Sequence, residues 1–301
     1  MADVFVVGSI NQDFVLNVER RPEPGETVTD AQLSKGNGGK GANQAAAAAL
    51  LGADVALLGR VGDDGFGEPL VEALAEKGVD TSLIEATPGS STGTAVITVT
   101  PDGENAITVA PGANRSLTAD DVDEASGSIR GARVLVAQME VPPEVVLRAV
   151  GVAARRGTRA LVNLAPPFEV PRELLEKLDP LVVNEHEAAF LLGESAAGVD
   201  GALSAASELL ALGPRSVVVT VGKEGAVFSD GESTEHLPAP KVDVVDTTGA
   251  GDAFVGALAA SLARGDPLES AVAYAVRAGA AAATRGGAQG ALPTADVVDS
   301  L

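Results

Sequence analysis

The chain has 301 residues, with 42 acidic against 21 basic side chains, a formal net charge of −21, no cysteine and two histidines. That balance repels nucleic acid and anionic membrane surfaces, and the missing cysteine removes disulfides, thiolate metal sites and cysteine nucleophiles together. No run of eighteen apolar residues occurs, and MADVFVVGSI leads into a strand pattern rather than a basic, cleavable leader, so a cytoplasmic protein is expected.

Hydrophobic residues make up 46% but aromatics only 3%. The apolar mass is alanine, valine and leucine, which suits parallel strands buried beneath small-residue helices. Lysine occurs only at 35, 40, 77, 177, 223 and 241. With the acidity, this reads as a halophilic protein of a molar-salt cytosol, where charges are screened over roughly 3 Å.

DVFVVGSI (3–10) has the β-branched run of a buried strand. Residues 11–37 break into short alternating stretches around Pro22, Pro24 and Gly25. GANQAAAAALLG (41–52) predicts a helix stopped by Gly52, DVALLGRVG (54–62) a strand, and GFGEPLVEALAEKG (65–78) a helix ended by Gly78. Residues 89–110 hold TGTAVITVT and NAITVAP on either side of Pro101-Asp102-Gly103, a hairpin pattern. From Arg133, RVLVAQME, RALVNLAP, PLVVNE and RSVVVTVG predict strands alternating with helices near 142–156, 171–178, 185–193 and 200–212. Consecutive helices over 249–265 and 268–284 follow. This order predicts an α/β fold, a three-layer, doubly wound, mainly parallel sheet over 1–10, 38–88 and 111–301. The segments 11–37 and 89–110 predict a small β-sheet lid over the crevice at the strand carboxyl ends, where open α/β sheets bind ligands.

Four polar clusters fall at strand-to-helix junctions. GNGGKGANQ (36–44) puts glycines ahead of a helix, leaving N–H groups free beside Lys40 and Asn43. Its spacing is not that of a GxxxxGK[ST] phosphate loop, and a flexible turn explains it equally. Asn11-Gln12-Asp13 suits either an Asx-turn or a grip on the paired hydroxyls of a polyol. Asn184 and Glu187 lie three apart on one face of a starting helix, as capping residues or as ligands near hydrated Mg²⁺. In DVVDTTGAGDAF (243–254), Gly249, Ala250 and Gly251 open a helix whose N–H groups and positive dipole end face the crevice, with Asp252 among them. A cap needs the aspartate alone. Phosphoryl transfer needs both parts: N–H groups for charge on the moving phosphoryl group, and a carboxylate for the acceptor's proton. Aspartate, with a reference pKa of about 3.9, suffices in a loose transition state because the nucleophile loses its proton late.

GGKGANQ, the Asn184/Glu187 pair, TVGKEG (220–225) and DTTGAGDAF stand in an order and spacing that resembles the ribokinase family of sugar kinases, within the phosphofructokinase-B superfamily, over essentially the whole chain. GSINQD, PGETV, MEVP (139–142) and TRGGAQG (284–290) strengthen the likeness. The resemblance implies that Asp252 is the general base and that Gly249, Ala250 and Gly251 form the anion hole. It implies that Asn11, Asp13, Gly39, Lys40, Asn43 and Glu140, with Asp252, hold the sugar. Asn184, Thr220, Gly222, Lys223, Gly225, Gly251 and Val276 would border ATP, and Asn184 and Glu187 would serve the Mg²⁺ region. A monovalent cation, usually K⁺, falls to Asp246, Thr248, Ala282, Arg285, Gly287 and Ala291, mostly through backbone carbonyls. Ala291 stands where serine is more usual, so one side-chain ligand is lost. A homodimer through the lid is implied as well.

Within the family, the likeness points to ATP-dependent phosphorylation of the primary hydroxyl of D-ribose. No tryptophan and one tyrosine, Tyr274, leave few rings to stack a nucleobase, which favours a bare sugar over a nucleoside. Ribose 1-phosphate, fructose and 2-keto-3-deoxygluconate are alternative acceptors. Arg20, Arg21, Lys35 and Arg115, near the lid segments, either pair with an extra phosphate or are solvated charges. The intact Gly249–Asp252 stretch argues against a non-catalytic nucleotide-binding module.

Overall fold

The computed structural model describes residues 2–102 and 104–301. Its strands are β1 (Val4–Val7), β2 (Asn11–Asn17), β3 (Gln32–Gly38), β4 (Val55–Gly62), β5 (Val79–Asp80), β6 (Ile84–Thr87), β7 (Gly93–Val99), β8 (Asn105–Ala110), β9 (Val134–Gln138), β10 (Arg159–Asn163), β11 (Leu181–Asn184), β12 (Val217–Thr220), β13 (Ala226–Ser229) and β14 (Thr234–Leu237). Its helices are α1 (Lys40–Leu50), α2 (Gly67–Glu76), α3 (Ala119–Glu124), α4 (Ser126–Gly131), α5 (Pro143–Ala154), α6 (Arg172–Leu175), α7 (Glu185–Leu192), α8 (Gly198–Ala211), α9 (Ala250–Arg264), α10 (Leu268–Ala282) and α11 (Ala295–Asp299).

The main sheet runs β14-β13-β12-β11-β10-β9-β1-β4-β5, with β6 alongside β4. It is parallel from β12 to β5 and antiparallel at the β13–β14 edge. Those two edge strands had no counterpart among the sequence-predicted ones; each is only four residues long, too short to show a period. Alternation along each central strand builds two cores. Val4 and Val6 of β1 and Val134 and Val136 of β9 face one cluster with α1, α9 and α10, while Phe5, Val7, Leu135 and Ala137 face another with α5 and α8. The result is the expected three-layer α/β arrangement. Helix α9 is buried from Asp252 through Ala263, and its alanines and glycines let α1 and α10 pack close.

A second, four-stranded sheet has the order β3-β2-β7-β8. It joins both β-rich segments, because β2 pairs parallel with β7 while β3 and β8 flank them antiparallel. The hairpin over 89–110 forms, with Val99 opposite Asn105; Gly103 of its turn lies outside the described residues. The first strand ends at Val7 rather than residue 10. No Asx-turn follows it: Asn11, Gln12 and Asp13 are strand residues opposite Gly38, Asn37 and Gly36. Among the described residues, no helix is long and apolar enough to cross a membrane.

The parallel strands end on polar side chains: Gln138 beside Asn163 and Asn184 beside Thr220, in register. This row of amides and a hydroxyl lies at the carboxyl edge of the sheet, where open α/β sheets bind ligands.

Candidate active site

Helices α1 and α9 both start at a glycine with positive φ, Gly39 at 88° and Gly249 at 77°, and neither carries a side-chain cap. A Cβ would lie 2.8 Å from the Ser9 carbonyl oxygen at Gly39, and 3.0 Å from Ala288 Cα at Gly249. Conformation and space both demand glycine. The two helix ends differ in what remains unpaired. In α1, Lys40 N–H donates to Glu140 Oε2 (3.1 Å), Gly41 N–H to Ser9 Oγ (3.3 Å), Ala42 N–H to Ser9 O (2.9 Å) and Asn43 N–H to Gly39 O (2.8 Å). The expectation that GNGGKGANQ leaves N–H groups free is corrected, because Ser9 and Glu140 fill them. In α9, Ala250 N–H donates to Thr247 O (3.1 Å) and Ala253 N–H to Gly249 O (2.8 Å). The N–H groups of Gly249, Gly251 and Asp252 find no acceptor among the described residues. The free set is therefore shifted from the expected Gly249, Ala250 and Gly251. A Cβ on Gly251 would meet nothing within 4 Å, so the positive end of this helix opens on space an anion can enter.

Asp252 turns inward, at 8% exposure. Its Oδ2 accepts from Asn43 Nδ2 (2.8 Å) and its Oδ1 from Gln44 Nε2 (2.9 Å). Burial lifts its carboxyl above the usual carboxylate range; Lys40 and the two amide donors oppose the rise, and Glu140 adds to it. Lys40, partly buried, loses from desolvation but lies in the field of Asp252, Glu140 and Glu187, which together raise its pKa. Asp13, 9% exposed, accepts no hydrogen bond at its carboxylate from the described residues. Burial first, then Glu140 and Asp252, pushes it up to about 7.

The amides beside these acids have one hand occupied. Asn11 Oδ1 accepts from Asn114 Nδ2 (2.8 Å), leaving its own Nδ2 as donor. Asn43 spends Nδ2 on Asp252, so its buried Oδ1 has no partner. Buried acceptors on Asp13 and Asn43, with an ammonium and an amide donor nearby, match the alternating donors and acceptors of a polyol.

Asn184 and Glu187 form a capping box on α7: Asn184 Oδ1 accepts from Glu187 N–H (2.9 Å) and Glu187 Oε2 from Asn184 N–H (2.8 Å). Glu187 is nonetheless buried, at 6%, and burial raises its pKa while Asn184 N–H and Lys40 lower it. A buried N3 acid within the field of Lys40 and Asp252 is more than a surface cap requires. Thr220 ends β12, Gly222 and Lys223 lie in the short 3₁₀ turn after it, and Gly225 closes that turn against Leu237. Val276 is in the core face of α10.

Asp246 straps two loops together, accepting from Thr248 N–H (2.9 Å) and Gly287 N–H (2.8 Å), and its pKa is lowered by those bonds against the pull of burial. Val245 and Asp246 N–H both reach Ala283 O, and Arg285 N–H reaches Ala282 O. Ala291 is buried nearby in sequence, at 1%. Both Asp246 carboxylate oxygens and the Ala282 and Ala283 carbonyls thus have N–H donors, and among the described residues there is no cluster of three or more His, Cys, Asp or Glu side chains placed to hold a metal. Arg20 pairs with Glu26, and Lys35 lies over the rings of Phe14 and Phe66 at 5.6 Å each, so both are engaged within or beside the small sheet.

Four contributors escaped sequence reasoning: Gln44, Gln138, Asn163 and Asn114. The signal existed, since Gln44 follows Asn43 at the head of an alanine run and Gln138 and Asn163 end apolar strands. Without the fold nothing aims them at one point.

The profile described as "pfkB family carbohydrate kinase" matches residues 1–295. A ribokinase from Staphylococcus aureus (strain COL) is 38% identical over 99% of each chain. A deoxyribokinase from Salmonella typhi is 35% identical over 97% of this chain and 96% of its own. The structure of Arabidopsis thaliana ribokinase complexed with ribose and ATP superposes with a TM-score of 0.90 at 30% identity, covering 99% of this chain and 98% of that one.

Proposed function

The chain belongs to the pfkB family of carbohydrate kinases, and from that premise we propose that it transfers the γ-phosphoryl group of ATP to the primary hydroxyl of D-ribose, giving D-ribose 5-phosphate and ADP. The observation that carries this is the pairing of a buried, amide-held carboxylate at Asp252 with unpaired N–H groups on Gly251 and on Asp252 itself. Asp252 takes the proton of the acceptor hydroxyl as the bond to phosphorus forms, and the α9 N–H groups meet the charge on the transferring group. Asn11, Asp13, Lys40, Asn43 and Glu140 orient the sugar, and the small sheet over 11–37 and 89–110 closes above it to exclude water. Asn184 and Glu187 would serve the Mg²⁺ region, where the ion would neutralise phosphate charge. K⁺ falls to the loops strapped by Asp246. The nucleotide's adenine end lies toward Val276 and the turn from Thr220 to Gly225.

The acidic surface fits a high-salt cytoplasm. The second sheet leaves Leu33 (57%), Val96 (37%), Ile107 (57%) and Val109 (45%) exposed, which supports dimerisation there. Light scattering at fixed salt tests the dimer. Replacing Na⁺ by K⁺ at constant ionic strength tests the cation.

Asp252→Asn is expected to keep ATP binding and lose roughly 10²–10⁴-fold in kcat, the range for a general base; turnover at the wild-type rate refutes the mechanism. A coupled assay over ribose, deoxyribose, ribose 1-phosphate, fructose, 2-keto-3-deoxygluconate and adenosine tests the acceptor. Ribose should have the highest kcat/KM, and a faster alternative replaces it.

A further inference from the structure

Gln44 sits in the middle of a buried amide chain that ends on a backbone carbonyl. Asn163 donates through Nδ2 to Val182 O (3.3 Å), an atom that only accepts, so its amide orientation is set and Oδ1 is left as acceptor on the other side. Gln44 Nε2 donates both to that Oδ1 (3.1 Å) and to Asp252 Oδ1 (2.9 Å). Gln44 Oε1 then accepts from Gln138 Nε2 (2.6 Å). Turning the Gln44 amide over would set oxygen against the oxygens of Asn163 and Asp252, and NH₂ against the NH₂ of Gln138. All three contacts would become repulsive. Gln44 is 1% exposed, Gln138 0% and Asn163 9%, so these orientations are decided within the protein.

We propose that Gln44 is a positioning residue for phosphoryl transfer: backed by Gln138 and Asn163, it locks the Asp252 carboxylate in one rotamer, aimed at the acceptor hydroxyl before the sugar arrives. The proposal rests on Asp252 being the base. Asn43, which grips the other oxygen, belongs to the expected sugar-binding set and has an unfilled acceptor for the ligand. Gln44 has both amide atoms bonded to protein and holds its grip whether or not ligand is present. Charged groups also reach Asp252 from other elements: Lys40 at the start of α1, Glu140 after β9, Asp13 on β2 and Glu187 on α7. Because Gln44 is neutral, Gln44→Met removes its hydrogen bonds at similar volume and leaves that charge set intact.

The test uses the full chain at fixed salt. Gln44→Met should lower kcat about 100-fold, the scale of an ångström's misplacement of a reacting group, with KM for ATP within about 2-fold of wild type. Gln138→Met, which reaches Asp252 only through Gln44, should lower kcat about 10-fold, as loss of one buried hydrogen bond does. In a Gln44→Met background it should cost nothing further, since the chain is already broken. A wild-type kcat in Gln44→Met, or a raised sugar KM at unchanged kcat, overturns the proposal. If Gln44→Met does not fold, Gln138→Met decides: a lower kcat in a folded protein supports the proposal and a wild-type kcat overturns it. Asp252→Asn run in parallel separates the two levels. An active Asp252→Asn removes the base assignment, whereas an inactive Asp252→Asn beside a fully active Gln44→Met removes only the role of Gln44.

Discussion

Gly256→Ala sets two effects of opposite sign against each other. In the interior of α9, an alanine should gain about 1 kcal/mol over glycine from backbone entropy alone. Its Cβ, however, would stand 2.4 Å from Ala47 Cβ, 2.8 Å from Gln44 O and 2.9 Å from Ala48 N, all on α1. Ordinary carbon contacts lie at about 3.5–4.0 Å, so the two helices must part by about 1 Å, and because two of the three atoms are backbone no rotamer change relieves the clash. Overpacking of this kind costs typically 1–3 kcal/mol. Backbone contacts place it at the upper end, so the net loss is about 2 kcal/mol and the Tm falls by a few degrees. The same displacement would stretch the 2.8 and 2.9 Å bonds from Asn43 and Gln44 to Asp252 beyond hydrogen-bonding range. On that basis kcat drops about 100-fold. Thermal unfolding and steady-state kinetics at one salt concentration measure both. A variant with a raised Tm and wild-type kcat would refute the coupling of α1–α9 packing to the site.

Gly251→Ala, in the first turn of the same helix, should behave oppositely: its Cβ meets nothing, so stability is unchanged or raised by up to about 1 kcal/mol. Its kcat should fall because the methyl group fills the space before the free N–H groups; equal loss of stability and activity would contradict this. Asp13, raised to about 7 by burial, should make sugar KM improve as pH rises through 7, since only the ionised form accepts from two hydroxyls. The same shift fixes a stability slope. Between about pH 4 and 7 the folded protein holds a proton at Asp13 that the unfolded chain has lost, so stability contributed there falls as pH rises. Asp13→Asn should therefore raise the Tm more at pH 8 than at pH 5 and abolish the KM trend; a gain independent of pH contradicts the assignment. Glu187→Gln separates two roles of one residue, because glutamine preserves the capping box but not the charge. An unchanged Tm with a raised half-saturating Mg²⁺ concentration is expected, whereas loss of Tm alone would leave only the cap.

Much of the fold was legible in the chain. Short β-branched runs such as VFVV and VVVT read as strands buried on both faces, and their alternation with alanine-rich amphipathic stretches implies parallel β-α units. The glycine-flanked Asp252 was equally visible, because a cap alone has no use for Gly249 and Gly251. The edge hairpin of β13 and β14 was not, being held by register with β12 rather than by its own four-residue pattern.

What the sequence determined by itself was local: which residues are apolar at what period, where glycine permits positive φ, and which acids and amides stand at element ends. The tertiary structure alone decided how these were spent. It showed that the α1 N–H groups are consumed by Ser9 and Glu140 while those of α9 are not, and that Asn184 and Glu187 satisfy each other. It also brought Gln44, Gln138, Asn163 and Asp252, up to 208 positions apart, into one hydrogen-bonded chain. The physical reason is that a hydrogen bond needs contact at about 3 Å in a set direction, and distance between residues remote in sequence is a property of packing, not of composition or spacing.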